Sequence, residues 1–331
     1  MSVKKKIILI GAAIVALILS VGAYMKWVSP TKIAFFNYQV ITLGEINRAN
    51  DNPSIRLFEV STDNVDDLGK YDMVFVNAMG LRITEAQRET LKEIGKKVPI
   101  LTSMATNPAN NIATVDSVDI EFLNQYISNG GRKNYRNMLN YVRKFIDGKK
   151  FRSYEPDMYV QKENHLLYHA DIKTQDGEDI GFESIASYHK FLMDNNLWNE
   201  NAPCVIITGA MGDPSDLAAA LEKTGNRVYC VNSLTSMVSS QQIDSIHPSV
   251  IINMAHGRLG DNMVNYLKER NIPLLLTLNV NRLRSEWEEE KMGMNGGFLS
   301  QSVVTPEIDG AIRPYVLFAH EQDESGLRHL I

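Results

Sequence analysis

Short apolar runs that alternate with longer amphipathic stretches constrain the fold of this chain more than any other feature. The first such runs are residues 33–38, 55–60, 73–76 and 99–102. Residues 84–97 repeat apolar positions at helical spacing, and Thr84 stands where a helix N-cap is expected. Strands that alternate with helices predict a parallel sheet in an open α/β layer.

A second series of the same kind begins near residue 201. Its apolar runs are residues 204–208, 228–231, 250–253, 274–278 and 315–319. A helix is predicted at 214–224, with Asp213 and Pro214 at its start and Gly225 after its end, and another at 261–270. Short continuous apolar runs are typical of a parallel sheet that is covered on both faces.

Between the two series, residues 120–151 have helical patterns and residues 152–200 contain a β-ribbon pattern around 162–164. The predicted fold is therefore α/β, with two doubly wound parallel-sheet units joined by helices, behind an N-terminal transmembrane helix. The predicted domains are a membrane anchor at 1–29, a first α/β unit at 30–115, a helical and β-ribbon connector at 116–200, and a second α/β unit at 201–331.

The N-terminal segment has the features of a membrane span. Lysines at 4–6 precede residues 7–25, which carry no charge, and Lys26 and Trp27 close the segment. Such a helix is about 28 Å long, close to the hydrocarbon thickness of a bilayer. A cleaved signal peptide is the alternative, since small residues occur at 21–23, but the length favours an uncleaved anchor. The lysine bias predicts a single-pass protein of the inner membrane, with the bulk of the chain outside the cytoplasm.

Composition limits the classes of partner. The chain has 331 residues, of which 22% are charged, and a formal net charge of −5. Nucleic-acid binding needs a basic surface, so no nucleic-acid partner is expected. The small-residue turn at 209–212 lacks the Gly-Lys-Ser/Thr ending of a phosphate loop, so no ATP site is predicted.

Two cysteines and one histidine pair could suggest cross-links or metal sites. Cys204 and Cys230 each lie in a predicted strand; they are expected to be buried thiols, with a disulfide possible only if the strands are neighbours with suitable geometry. His165 and His169 have a spacing that suits a metal on a helix, but the surrounding alternation favours strands, which excludes a preformed zinc pair.

Basic residues follow one side of the second predicted helix in 120–151. Arg132, Arg136 and Arg143 lie opposite its apolar stripe. Such a face is usually solvated, and the alternative is a binding surface for anionic groups such as carboxylates.

Four short motifs occur in order along the last two thirds of the chain. They are Gly130-Gly131-Arg132-Lys133-Asn134, Tyr168-His169-Ala170-Asp171, the tryptophan at 287, and Pro306-Glu307-Ile308-Asp309-Gly310. In the last motif a proline fixes φ and a glycine permits positive φ, which predicts a rigid polar turn after a β-like run. From spacing alone this is an ordinary surface turn; the alternative is a turn that directs two carboxylates toward a ligand.

This order of motifs resembles the large subunit of the tetrapyrrole metal chelatases, the CobN and magnesium-chelatase H family. Members of that family are several times longer, so the chain resembles their N-terminal portion, and residues 201–331 would include the start of the chelatase-like region. The membrane anchor is similar to that of the HmuS-like proteins of haem-uptake systems. The resemblance implies a missing C-terminal region or chelatase partner subunits.

The resemblance implies a tetrapyrrole, such as haem, as substrate and no intrinsic cofactor. Removal of metal from haem is slightly favoured over insertion of cobalt or magnesium; the alternative is an extracytoplasmic module that binds a tetrapyrrole or another small ligand without catalysis. His256 follows a strand, at the sheet edge where open α/β folds bind ligands. The candidate catalytic residues are His256, Glu307 and Asp309, and the candidate substrate-binding residues are Arg258, Trp287 and His169. The residues that would bind the metal are not identified by the sequence.

Overall fold

The computed structural model describes residues 3–209, 213–294, 296–323 and 326–331. The fold is mixed α/β with parallel sheets, as predicted. The strands are β1 Thr31–Phe36, β2 Ile55–Val60, β3 Met73–Asn77, β4 Ile100–Ser103, β5 Leu167–Lys173, β6 Asp179–Phe182, β7 Cys204–Thr208, β8 Arg227–Val231, β9 Val250–Asn253, β10 Leu274–Leu283, β11 Ile312–Gln322 and β12 Arg328–Leu330.

The α-helices are α1 Val3–Trp27, α2 Val40–Ala49, α3 Glu85–Gly95, α4 Ser117–Asn129, α5 Gly131–Tyr141, α6 Ile185–Asp194, α7 Ser215–Lys223, α8 Leu234–Ser239, α9 Asp261–Glu269, α10 Arg284–Glu289, α11 Gly296–Leu299 and α12 Thr305–Ile308. Short 3₁₀ segments occupy Thr62–Lys70, Pro108–Asn110 and Gln242–Ser245, and π-helical turns occupy Val142–Ile146 and Ser300–Val304. The chain divides into two compact units. Unit 1 is Met1–Lys162 with Asp323–Arg328, and unit 2 is Glu163–Gln322 with His329–Ile331.

Unit 1 contains a four-stranded parallel sheet in the order β2-β1-β3-β4. Successive residues of β1 enter different cores, because side chains alternate across a strand. Ile33 and Phe35 pack into one hydrophobic cluster, and Ala34 and Phe36 pack into the other. The sheet is thus covered on both faces.

α3 begins as its sequence predicts. The Thr84 hydroxyl accepts a hydrogen bond from the backbone N–H of Gln87, and the Gln87 side chain accepts one from the backbone N–H of Thr84. This reciprocal capping box pairs backbone N–H groups that the helix itself leaves without acceptors.

The N-terminal helix α1 contains a stretch, Ile10–Trp27, that is long and apolar enough to cross a membrane. None of the side chains in the stretch Ile10–Trp27 is buried against the rest of the chain. A signal sequence near an N-terminus has the same length and composition.

Arg143, in the π-helical turn that follows α5, lies in an environment that differs from the predicted one. It lies on neither a solvated nor a ligand-binding face, because it is fully buried. Its guanidinium donates to the carbonyl oxygens of Ser29, Ser54 and Phe151 and to the hydroxyl of Thr31. Burial lowers the pKa of Arg143, while Asp147 and Asp72 oppose that change. The five-donor fork of arginine therefore connects its own helical turn to three other segments of unit 1, around residues 29–31, 54 and 151.

Unit 2 contains an eight-stranded sheet in the order β12-β11-β10-β9-β7-β8-β5-β6. The five strands β11, β10, β9, β7 and β8 run parallel to one another, whereas β5 is antiparallel to both β8 and β6. The predicted β-ribbon therefore exists, but its turn lies between β5 and β6 and not at 162–164. The ribbon extends the sheet of unit 2 at its edge.

The two cysteines do not form a disulfide. Cys204 is paired in register with Arg227, and Cys230 is paired with Ile207. Cys204 belongs to the core on one face of the sheet and Cys230 to the core on the other face. Both are buried free thiols, and burial raises the pKa of Cys230 to about 12.

Candidate functional site

The loop after β9 holds two of the candidate site residues, His256 and Arg258. Because β9 is parallel to both of its neighbours, this loop lies at the carboxyl edge of the sheet in unit 2. Gly257 has a φ of 87°, a region that favours glycine, and its backbone N–H donates to the carbonyl of Gln301 at 3.1 Å. The loop is therefore attached to the segment that precedes the Pro306 motif.

That segment is helical from 296 to 308, so the prediction of a β-like run before the motif is wrong. The helix tolerates Pro306 because its turn widens to a π-helix at Ser300–Val304 just before it. Proline lacks the N–H that would bond the carbonyl four residues earlier, that of Ser302, and its ring would collide with that carbonyl in a regular α-helix. A π-helical turn relieves both problems.

The helix ends in a Schellman motif, in which the amide of Ala311 donates to the carbonyl of Pro306 and that of Gly310 to the carbonyl of Glu307. Gly310 has a φ of 82°, so the expected positive φ is observed. The rigid turn around Asp309 is thus the C-terminal cap of a helix.

Asp309 and Arg258 form an ion pair between this cap and the loop. Arg258 Nε donates to Asp309 Oδ1 at 2.8 Å, and the backbone N–H of Leu259 donates to Asp309 Oδ2 at 2.9 Å. The Asp309 side chain is only 2% exposed, whereas that of Arg258 is 43% exposed and also bonds Asp261 at 2.6 Å. Hydrogen bonds to Asp309, and then to Asp261, raise the pKa of Arg258. A carboxylate near a helix C-terminus is unfavourable with the helix dipole, and the guanidinium offsets that cost.

His256 lies beside the same helix. Its Nδ1 is 3.2 Å from the hydroxyl of Ser302, which is buried, and its ring makes an edge contact with Phe298 at 5.7 Å between centroids. Burial lowers the pKa of His256, so the neutral imidazole is favoured near pH 7. Among the described residues, no hydrogen bond engages its Nε2. A neutral imidazole with one nitrogen held and the other available can accept a proton or coordinate a metal.

Glu307 and Trp287 are not drawn into these contacts. The Glu307 side chain is exposed, and no described residue bonds its carboxylate. Trp287 lies half-buried in α10, without an aromatic-ring contact to His256 in the part of the chain that the structure describes. Their catalytic and substrate-binding roles stay predictions.

His169 lies elsewhere in unit 2. It is on β5, which β7 and β8 separate from β9. It is buried against Phe191 and Tyr188, and its Nδ1 accepts a hydrogen bond from the backbone N–H of Ile172 at 2.9 Å. A ligand would reach this ring only after the core opens, so a substrate-binding role for His169 also stays a prediction.

Two other histidines of unit 2, His247 and His320, lie near strands but away from His256. His247 is exposed and precedes β9, at the edge of the sheet opposite to His256. His320 is buried near the end of β11, beside an open cavity of about 460 Å³ lined by Leu283, Arg284, Ser285, Glu288, His320, Glu321 and Gln322. No group of three or more potential ligands with metal-binding geometry occurs among the described residues.

The motif Gly130 to Asn134 has a structural role, because its asparagine binds the backbone of an extended segment. The side-chain amide of Asn134 donates to the carbonyl of Val160 and accepts from the backbone N–H of Val160, both at 2.8 Å. Asn129 accepts from the backbone N–H of Lys162 at 2.9 Å. These amides replace the partners that a neighbouring strand would give to the extended segment before residue 163.

Sequence analysis did not identify three residues that contact the site: Ser302, Phe298 and Asp261. Ser302 and Phe298 face the loop only because 296–308 is helical, which the β-like interpretation of 303–304 concealed. Asp261 had a recognisable signal, since it is the first residue of α9 and lies three residues after Arg258.

Comparison with known proteins assigns the family. Residues 124–330 match the sequence model of the family CobN/Magnesium Chelatase. Among solved structures, the chain is similar to the catalytic subunit of cobaltochelatase from Mycobacterium tuberculosis, with a TM-score of 0.54 and 15% identity over 91% of this chain and 26% of that one. It thus spans about a quarter of that structure.

Similarity to the NAD-complexed D-isomer specific 2-hydroxyacid dehydrogenase from Lactobacillus delbrueckii ssp. bulgaricus is much weaker. The TM-score is 0.28 at 12% identity, over 86% of this chain and 89% of the dehydrogenase. Among curated proteins, none matches the chain significantly. The family match covers well over half of the chain, and the chain therefore belongs to the CobN/magnesium chelatase family.

Proposed function

We propose that this chain acts on haem or a related tetrapyrrole. Of the two possible activities, we propose removal of the metal ahead of insertion of cobalt or magnesium. The observation that carries the proposal is the grouping of His256 with Ser302 and of Arg258 with Asp309 at one sheet edge, inside the region that matches the family. A tetrapyrrole needs an axial ligand for its metal, a route for protons, and cations for its carboxylates. His256 can supply the axial ligand and Arg258 the cation.

The chemistry places a defined demand on the site. When iron(II) leaves a haem, two protons must bind the pyrrole nitrogens that held it, and insertion of a metal releases two protons. The neutral His256 can coordinate the metal or pass a proton through Nε2. Arg258 keeps a 43% exposed side chain while Asp309 fixes its position, which suits recognition of a propionate. Exposed Glu307 is the remaining carboxylate of the motif for proton transfer.

We further propose that α1 anchors the chain in the inner membrane, with the bulk of the chain outside the cytoplasm. The length and apolar composition of α1 and the lysines before it support this proposal. A membrane-anchored form that acts on haem would be of the HmuS-like type. Energy for metal insertion would have to come from partner subunits, because no ATP site is predicted in the chain.

A binding module without catalysis is the second candidate. Its support is that Asp309, one of the two carboxylates of the Pro306 motif, is buried and held in an ion pair with Arg258. Arg258 Nε and the backbone N–H of Leu259 also occupy the two carboxylate oxygens of Asp309, which leaves them poorly placed to reach a substrate.

The test uses the full chain in detergent with haem under reducing conditions. Haem binding is followed by absorbance, and metal removal by the fluorescence of the metal-free porphyrin in the presence of a ferrous chelator. We expect both signals, and we expect His256→Asn to reduce porphyrin release by orders of magnitude.

The matched control is His247→Asn, since His247 is an exposed histidine beside the same strand and its positive φ of 45° is tolerated by asparagine. Haem binding without porphyrin release would favour the binding module. Absence of binding to both haem and free porphyrin would overturn the proposal.

A further inference from the structure

Aromatic and basic side chains are exposed where α1 joins unit 1. Trp27, the last residue of α1, is 43% exposed, and Phe151 is 49% exposed. Lys26, Lys150 and Arg152 are also exposed. We call these five residues the junction patch. A phenyl and an indole exposed beside three cations are the side chains that favour the interface of a bilayer with water.

Backbone hydrogen bonds connect the two segments of the junction patch, residues 26–27 and residues 150–152. The N–H groups of Lys150 and Phe151 both donate to the carbonyl of Trp27 at 2.9 Å. The side chain of Lys149 donates to the carbonyl of Met25 at 2.7 Å. These groups bond carbonyls that the end of a helix leaves without partners. Residues 149–151 are therefore attached to the last turn of the apolar helix.

Arg143 makes this attachment stiff. Its guanidinium bonds the carbonyl of Ser29, just after α1, and the carbonyl of Phe151. Asp147 accepts from the hydroxyl of Thr31 at 2.6 Å and lies 3.3 Å from Lys149 Nζ. Moving Phe151 away from Trp27 would break this buried network, so the two aromatic residues stay at one level along the axis of α1.

The geometry points to a second membrane contact: we propose that the junction patch rests on the headgroup region of a bilayer that contains anionic phospholipids. Trp27 ends the apolar stretch of α1, so a bilayer that encloses this stretch has its interface at Trp27 and hence at Phe151. Lys26 lies 5.7 Å from the Trp27 ring centre and the Arg152 guanidinium 5.3 Å from that of Phe151, which places cations beside both rings. Anionic headgroups complement these cations.

The contact depends on insertion of α1 but not on chelatase activity. Its consequence is that unit 1 is held against the bilayer by two elements, the span and the 150–152 segment, and cannot swing freely on a linker. The patch therefore fixes how unit 1 faces the membrane.

The experiment measures depth in the bilayer with the full chain in vesicles that contain phosphatidylglycerol. A fluorophore with a flat aromatic ring is attached at Phe151→Cys, where it replaces the phenyl ring; the native thiols are buried and should not react. Val21→Cys, within α1, is the membrane reference, and Lys92→Cys, exposed on α3, is the aqueous reference. Lipids with brominated acyl chains quench probes that lie in the bilayer.

We expect quenching at position 151 to lie between strong quenching at 21 and little at 92. We also expect the added changes Lys150→Glu and Arg152→Glu to reduce it in anionic vesicles and not in vesicles of phosphatidylcholine alone. Quenching at 151 equal to that at 92 would overturn the patch even if position 21 is quenched. Lack of quenching at 21 would remove the span on which the patch depends, and indifference to charge reversal would remove the role of anionic lipid.

Discussion

The two units each use an arginine to join segments at the end of a parallel sheet, but at opposite edges. In unit 1, Arg143 is buried beside Thr31 and Ser54, at the starts of β1 and β2. In unit 2, Arg258 follows β9 and stays partly exposed beside Asp309. An arginine whose N–H groups all donate to buried oxygens of the chain stabilises the fold. An arginine whose guanidinium stays partly exposed can still bind a ligand. The same residue type thus serves structure at one edge and remains available for recognition at the other.

The carboxyl edges of the two sheets also differ: the loops of unit 1 carry neutral polar side chains, and those of unit 2 carry ionisable ones. In unit 1, the Asn37 side chain donates to the carbonyl of Asn77, and Thr106 accepts from the backbone N–H of Gly80. In unit 2, the corresponding edge carries an imidazole and an ion pair. Neutral amides and hydroxyls fix loop conformation, whereas ionisable groups add proton transfer and charge. Similar sheets therefore differ in chemistry through their loops.

The largest expected effect follows from replacing the buried arginine. Arg143→Met should lower the free energy of unfolding of unit 1 by about 3–5 kcal/mol, because it leaves several buried carbonyls without their charged donor. Chemical denaturation in detergent, followed by circular dichroism, measures the change. Arg136→Met is the control: Arg136 lies 3.7 Å from Asp51 and is partly exposed, and a pair of this kind contributes about 0–1 kcal/mol. Equal midpoints for the two variants would refute the structural role of Arg143.

A smaller effect is expected at the carboxyl edge of unit 2. Asp309→Asn should destabilise the attachment of the loop to the helix by about 1.5–3 kcal/mol, since it weakens the charged hydrogen bonds to Arg258 and Leu259. Hydrogen exchange of the Leu259 and Gly257 amides reports the loosening. Asp261→Asn removes the exposed partner of the same arginine and should change these rates much less. If both variants exchange alike, the burial of Asp309 does not determine the position of the loop.

Most strands could be predicted because each is a continuous apolar run with a clear end. The runs at 204–208 and 250–253 coincide with β7 and β9, and the position of His256 just after β9 followed from them. The helix at 296–308 could not be predicted, since Pro306 normally ends a helix and the π-helical turn that accommodates it has no sequence signal.

The burial of Arg143 could not be predicted from the residues next to it in the sequence either. The residues that accept its hydrogen bonds include Ser29 and Thr31, more than 100 positions earlier in the chain. Only the tertiary fold brings their oxygens together, and helical periodicity predicts an exposed basic face instead. The ion pair between Arg258 and Asp309, 51 positions apart, has the same character. Motif spacing in the sequence could identify Arg258 and Asp309 as candidate site residues but could not predict that they form an ion pair.

The smallest expected effect concerns the charge of His256. Burial lowers its pKa in the folded chain below the value of about 6.5 for an unfolded one. The fold thus favours the neutral ring, so this contribution to stability is complete above the unfolded pKa and is lost as the pH falls through that value toward the folded pKa. His189 acts in the same direction, through burial and then the nearby Arg227. Unit 2 should therefore lose stability as the pH falls from neutral into the range below about 6.5.

The measurement is the melting temperature of unit 2 across that pH range. His256→Asn should flatten the dependence, because it removes one ring whose pKa is lowered by burial, and His189→Asn should flatten it by removing another such ring. The effect should be absent from unit 1, whose stabilising cation, Arg143, does not titrate in this range. A pH dependence in His256→Asn as steep as in the unsubstituted chain would mean that the imidazole is not held neutral at the sheet edge. The contrast between a structural arginine in one unit and a titratable edge in the other would then rest on Arg258 and Asp309 alone.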